Sequence, residues 1–296
     1  MIDRFRDTPL GRIHTIEWLD AGERAPWLHF LHATGMHAHL YRDMLAPLAA
    51  HFRIVASDAR GHGRTELAAD PAQLTSWRTY QDDLAVLLDS IDAGPWWYAG
   101  HSMGATVSAE LAARRPAQVA GLVLIEPAFV PFAVATGYTP DGPNPMAEQA
   151  IRRRSVWPSA AAMIDAYRGR GVFARIGDDA LTAYVEGGVR SGVDGSVELA
   201  CAPAWEAATF RAVSAGLQPA LAGWRRPLAL LRGTVGSTVG AADAASITAG
   251  VPGSIGGCFE GAGHFLPLER PDVLSDALAA LRTEPAEAGS RSHGAR

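Results

Sequence analysis

Gly100-His101-Ser102-Met103-Gly104 forms the pattern G-x-S-x-G. It follows an apolar run, Trp96-Trp97-Tyr98-Ala99, and opens a helical stretch that stops before Pro116. In that setting the pattern predicts a tight strand-turn-helix elbow, which strains the serine backbone and lifts its Oγ clear of a sheet. Small residues are needed two before and two after, because a side chain there would run into the neighbouring strand and helix. The helix N-terminus beneath favours a developing negative charge. A serine used as a nucleophile needs a base, a carboxylate to orient that base, and N–H donors for the oxyanion. The N–H of Met103, the residue after the serine, is one such donor.

Alternating apolar runs and amphipathic stretches fill the first half of the chain, which predicts α/β architecture with a doubly wound, mostly parallel sheet. Strands are expected within residues 11–19 and at Trp27–Leu31, Phe52–Ala56, Trp96–Ala99 and Leu122–Ile125. The last is apolar throughout, as for a strand covered on both faces. Helices are expected at about 39–50, from Ser76 to Asp92, and from Ser102 to Arg115. After Pro127 the alternation stops, and strand-like text returns only at Pro227–Leu231. A helix near 241–249, a strand near 254–259 and a helix over 271–282 follow. The expected division is a core of residues 1–127 and 227–283, a mainly helical insertion over 128–226, and a flexible tail over 284–296.

Composition removes other classes. The 296 residues carry a net charge of −5 and no lysine, which argues against a nucleic-acid footprint, a lysine Schiff base and a P-loop. Two cysteines make neither a disulfide framework nor a zinc site. No secretory signal and no apolar run of membrane-spanning length is visible, so a cytoplasmic protein without a membrane partner is expected. His32, His37 and His39 cluster, but their spacing turns them in different directions and no metal is expected. No G-x-G-x-x-G opens a helix after the first strand, and no cofactor is implied.

Together with the elbow, three stretches resemble the α/β-hydrolase superfamily over roughly residues 10–282: His32-Ala33-Thr34-Gly35, Asp58-Ala59-Arg60-Gly61-His62-Gly63, and Gly261-Ala262-Gly263-His264-Phe265. The resemblance implies an α/β-hydrolase fold with a cap, His264 as the base, and the N–H of Thr34 as the second oxyanion donor. Ala33 replaces the usual glycine in that loop. It also implies an aspartate shortly after the strand at 227–232, but Gly233-Thr234-Val235-Gly236-Ser237 holds no acid. Glu126, closing the preceding strand 24 residues after Ser102, is the expected acid. In this the region resembles some haloalkane dehalogenases and zearalenone-type lactonases. Asp243 is the alternative, and Asp58, Arg60 and His62 are expected to brace their loop.

The insertion is aromatic, and Phe129, Trp157 and Trp205, with Met36 beside the oxyanion loop, are expected to line an apolar pocket. Phe132 and Tyr138 belong to the same aromatic set, and Arg152-Arg153-Arg154 reads as a solvated helix face. The resulting expectation is a serine hydrolase of a small apolar carboxylic ester or lactone, acting through an acyl-enzyme. Carbon–carbon bond hydrolysis on the same machinery and a small-molecule sensor on the same scaffold remain alternatives. The assembly is left open between monomer and homodimer. An aspartyl route to epoxides or haloalkanes is disfavoured, because the elbow presents serine.

Overall fold

Strand residues alternate between two apolar faces, and this alternation builds the molecule. A computed structural model describes residues 1–91, 93–129, 143–214 and 216–283. Phe132, Tyr138 and the tail over 284–296 lie outside the described residues. The main strands are β1 (Ile2–Thr8), β2 (Gly11–Trp18), β3 (Trp27–Leu31), β4 (Arg53–Ser57), β5 (Trp96–His101) and β6 (Val119–Ile125). After the insertion, β10 (Leu228–Gly233) and β11 (Ile255–Phe259) complete an eight-stranded sheet in the order β1-β2-β4-β3-β5-β6-β10-β11. The β1–β2 and β2–β4 pairs are antiparallel, and the remaining pairs are parallel.

One face carries Leu31, Val55, Trp96, Tyr98, Leu122 and Leu230, packed against α2 (Arg78–Asp89) and α3 (Met103–Arg114). The other carries Leu28, Phe30, Ile54, Ala99, Val123 and Leu231, covered by residues 38–48 and by the last helix, Val273–Thr283. Period-two strands with helices on both sides make a three-layer α/β fold. Strand order reverses between β3 and β5, where ligands bind in such sheets. The loop after β3 and the elbow after β5 therefore meet.

One strand was not expected, and two local expectations needed correction. β1 has no apolar stripe; it is held as a charged edge by Arg6 on Glu17 at 2.7 Å and by the Arg12 guanidinium 4.1 Å over the Phe5 ring. The stretch 39–50 is no single helix: 3₁₀ turns flank α1 (Arg42–Leu45), and on its C-terminal side Pro47 lacks the N–H that would continue it. Inside the insertion, helices α4 (Pro145–Ile151), α5 (Ala160–Tyr167), α6 (Asp178–Gly188) and α7 (Pro203–Arg211) are joined by a small sheet. Its strands β7 (Val156–Trp157), β8 (Val189–Ser191) and β9 (Val197–Leu199) are too short for alternation to register. No helix among the described residues is long and apolar enough to cross a membrane.

Candidate active site

The elbow forms as the spacing requires. A side-chain carbon at Gly100 would overlap the backbone of Gly104 and Ala105, and one at Gly104 would overlap the carbonyls of Leu31 and His32. Ser102 has φ 53°, and among the described residues only one other non-glycine residue, Glu126 at 47°, has positive φ. Such backbone costs about 1–3 kcal/mol per residue and persists only where the surroundings enforce it. The strain thus falls on the two residues that close adjacent strands, β5 and β6.

Glu126 is fully buried. Its Oε1 accepts the N–H of Gly233 at 2.6 Å, and its Oε2 accepts the N–H of Thr238 at 3.0 Å and the hydroxyl of Ser237 at 3.0 Å. His264 Nδ1 lies 3.2 Å from the same Oε2. Burial pushes the carboxyl pKa up, but the imidazole and these N–H donors outweigh it and hold the group at about 2. The segment 233–239, which lacks an acid, is thus the cradle for one on the next strand. Asp243 lies in the first turn of the helix Ala241–Ala249, and His264 bonds to Glu126 rather than to it.

With Nδ1 facing a carboxylate, His264 can keep its proton there, which leaves Nε2 able to accept one. Among the described residues no hydrogen bond joins Ser102 Oγ to His264; such bonds are commonly long before substrate binds. The His264 loop is laced to the segment after β10 by Val235 N–H on Ala262 O at 3.0 Å and to its own helix by Gly263 N–H on Glu269 at 3.1 Å.

The loop after β3, expected to supply an oxyanion donor, is set by His32. Its Nδ1–H donates to Ala33 O at 2.8 Å, and its Nε2 accepts the N–H of Ala59 at 2.9 Å. Met36 N–H donates to the same carbonyl at 3.1 Å. In a trans peptide N–H and C=O point oppositely, so fixing Ala33 C=O aims Thr34 N–H. Met103 begins α3, where N–H groups have no partner within the helix. Both donors can therefore serve an oxyanion.

The remaining histidines are engaged elsewhere: His37 on Tyr184 O at 3.0 Å, and His39 accepting from Arg42 at 2.7 Å. Among the described residues no group of three His, Cys, Asp or Glu side chains could hold a metal. Asp58 accepts from Ala38 N–H at 2.7 Å and Arg64 N–H at 2.8 Å, while Arg60 pairs with Asp83 at 2.6 Å. His62 Nδ1 bonds Arg60 O at 2.9 Å. These three brace the loop, with Gly61 and Gly63 at positive φ.

The candidate lining residues divide. Met36 and Phe129 are buried, the first beside the oxyanion loop and the second three residues after Glu126. Trp157 packs inside the insertion, 5.5 Å edge-on to Tyr167, with Arg154 stacked 4.4 Å over it. Trp205 lies across Gly61 and donates to Arg60 O at 2.9 Å, which fastens α7 to the loop after β4. A depression of about 1030 Å³ between Phe5, Arg64, Arg190 and Trp205 is bordered by none of Ser102, Glu126 and His264. Its size does not make it the site.

The arginine run is not a solvated helix face. It falls in the turn after α4, so Arg153 turns inward to Glu206 at 2.5 Å and the Tyr184 hydroxyl at 2.7 Å. Glu206 in turn crowds Gly35, where a side-chain carbon would lie 2.7 Å from Oε1.

A family profile described as the alpha/beta hydrolase fold matches residues 26–187. Over 273 residues the chain is 26% identical to 2-(acetamidomethylene)succinate hydrolase of Mesorhizobium japonicum, covering 92% of this chain and 93% of that one. Over 111 residues it is 40% identical to a putative non-heme haloperoxidase of Mycobacterium phage D29, a match that spans only 37% of the phage protein and 36% of this chain. The crystal structure of E-2-(acetamidomethylene)succinate hydrolase superposes with a TM-score of 0.78 at 24% identity, over 96% of this chain and 99% of that one. With the elbow, the parallel sheet and the profile in agreement, the chain belongs to the alpha/beta hydrolase fold family.

Proposed function

We propose that the protein is a serine hydrolase that cleaves a small apolar carboxylic ester or lactone through an acyl-enzyme. The observation that carries this is Ser102 strained at the elbow while His264 Nδ1 faces the buried, anionic Glu126. Ser102 Oγ attacks the carbonyl carbon as His264 Nε2 takes its proton. The N–H groups of Thr34 and Met103 hold the oxyanion, each worth about 3–4 kcal/mol in the transition state. His264 returns the proton to the departing alcohol, then activates water to release the acid. Glu126 stays ionised and stabilises the imidazolium. The insertion caps the site: Glu206 abuts Gly35, and Arg175 reaches Gly261 O and Glu269 beside His264. Met36 and Phe129 are the apolar lining.

A second reading, hydrolysis of an amide-type bond on a small acid, is favoured by the end-to-end match to a relative named for acetamidomethylene succinate. Fluorophosphonate labelling read by intact mass tests the activated serine, with Ser102→Ala as control. Turnover of a p-nitrophenyl ester, a simple lactone and 2-(acetamidomethylene)succinate then separates the readings. Stoichiometric labelling lost in Ser102→Ala, with ester or lactone turnover, is expected. A folded wild type that resists both the fluorophosphonate and a smaller sulfonyl fluoride sinks the serine mechanism.

A further inference from the structure

His101 lies inside the elbow motif, yet the mechanism above does not use it. It ends β5 on the face opposite Gly100, and it is fully buried. Its Nε2 is 2.8 Å from the backbone carbonyl of His264, and its Nδ1 is 2.7 Å from the hydroxyl of Tyr41. The Tyr41 oxygen lies 3.4 Å from the N–H of Ala33. Chemistry sets every polarity in this chain. A carbonyl can only accept, so Nε2 carries the proton; a neutral ring then accepts at Nδ1, so Tyr41 donates; the Tyr41 oxygen is left to accept from Ala33. Burial keeps the ring neutral by lowering its pKa to about 3.

We propose that His101 is a positioning residue that ties the base loop at His264 and the oxyanion loop at Ala33 to the nucleophile elbow through one directional hydrogen-bond chain. Three loops from three separate strands deliver Ser102, His264 and Thr34, and nothing in a shared strand sets their mutual distances. His101 is adjacent to the nucleophile in sequence, bonded to the backbone of the base, and one hydroxyl away from the peptide unit preceding the oxyanion donor. It touches no substrate atom. Its action is to keep three groups within the narrow tolerance that acyl transfer demands, where a displacement of about 1 Å can cost about 100-fold.

The proposal rests on the serine-hydrolase reading, and the test keeps the two apart. His101→Phe, His101→Gln and Tyr41→Phe are compared with wild type on a p-nitrophenyl ester, with active sites counted by fluorophosphonate so that rates refer to folded enzyme. His101→Phe is expected to lower kcat per titrated site by about 10- to 100-fold with KM nearly unchanged. His101→Gln keeps a donor near the Nε2 position and is expected to recover most of that loss. Tyr41→Phe cuts only the oxyanion arm and is expected to lose less than His101→Phe. If His101→Phe does not fold, Tyr41→Phe decides: a kcat per site below wild type with KM nearly unchanged is expected, and wild-type kcat overturns the proposal. Unchanged kcat per site in folded His101→Phe, losses confined to KM or thermal stability, or Gln no better than Phe each overturn the proposal. A wild type that does not label defeats the underlying reading instead.

Discussion

Two buried carboxylates in this protein have nearly the same surroundings. Glu126 accepts from the His264 imidazole and from the N–H groups of Gly233 and Thr238. Asp58 accepts from the His14 imidazole at 2.7 Å and from the N–H groups of Ala38 and Arg64. Both are pulled down in pKa, by imidazole and N–H donors that overcome burial for Glu126 and mainly by the His14 imidazole for Asp58. They differ in what the histidine does with its second nitrogen. His14 Nε2 is occupied by Asp3 at 3.0 Å, which closes the pair into a strut between β1, β2 and the loop after β4. The His264 side chain is 23% exposed and stands beside the elbow. A carboxylate–imidazole pair is a common structural unit, and the group facing its far nitrogen decides whether it can do chemistry.

Substitutions can break that contrast, and the largest effect is expected at the nucleophile. Ser102→Ala should lower kcat by about 10⁶-fold, measured on the best ester or lactone. Glu126→Gln should follow at about 10⁴-fold, since an amide no longer fixes the productive tautomer. Asp243→Ala, assayed beside it, should stay near wild type. At the matching pair the loss should appear in stability rather than rate. Asp58→Ala should destabilise by about 3–5 kcal/mol in denaturant unfolding, with kcat per fluorophosphonate-titrated site held within about threefold. Equal losses of rate at both pairs would erase the distinction.

Acid should act on both pairs in one direction. Each carboxyl has a folded pKa below its unfolded value, so its contribution is present above about pH 4.5 and disappears as pH falls toward the folded value. A Tm series from pH 6 to pH 3 should therefore decline, with on the order of 3 kcal/mol removed by Glu126→Gln at pH 6 and roughly half of that at pH 3. His14 is raised by Asp58 and Asp3 against the opposing effect of burial, so its share runs the other way and is lost as pH rises through its folded pKa. The smallest effect belongs to Asp3→Asn. That pair is partly exposed, and its loss should cost about 0–1 kcal/mol without creating a second labelled site.

Local signals made much of this legible in the sequence. The elbow is written in five consecutive residues, and the apolar run ending in Glu126 announces a charge that must find partners when buried. Other features depend on contacts across the chain. Two of the donors on Glu126 are backbone N–H groups of residues 233 and 238, more than 100 positions away, and backbone N–H groups leave no mark in side-chain identity. Arg153 was legible only as one of three adjacent charges; the turn that aims it inward is set by the end of α4. β1 escaped because ion pairs and a stacked guanidinium, rather than an apolar face, hold it. Trp157 and Trp205 were legible only as aromatic content, while their partners, Tyr167 and Arg154 for the first and Arg60 O for the second, are set by the fold.

The acid at the end of β6 also bears on how such proteins are sorted in large sequence collections. A template that demands an aspartate after the penultimate strand scores this chain as a dead enzyme. One that accepts a carboxylate on either neighbouring strand, together with a hydroxyl- and glycine-rich stretch such as 233–238 on the other, retains it. Chains discarded as degenerate for want of that aspartate are worth rescanning for a glutamate about two dozen residues past the elbow.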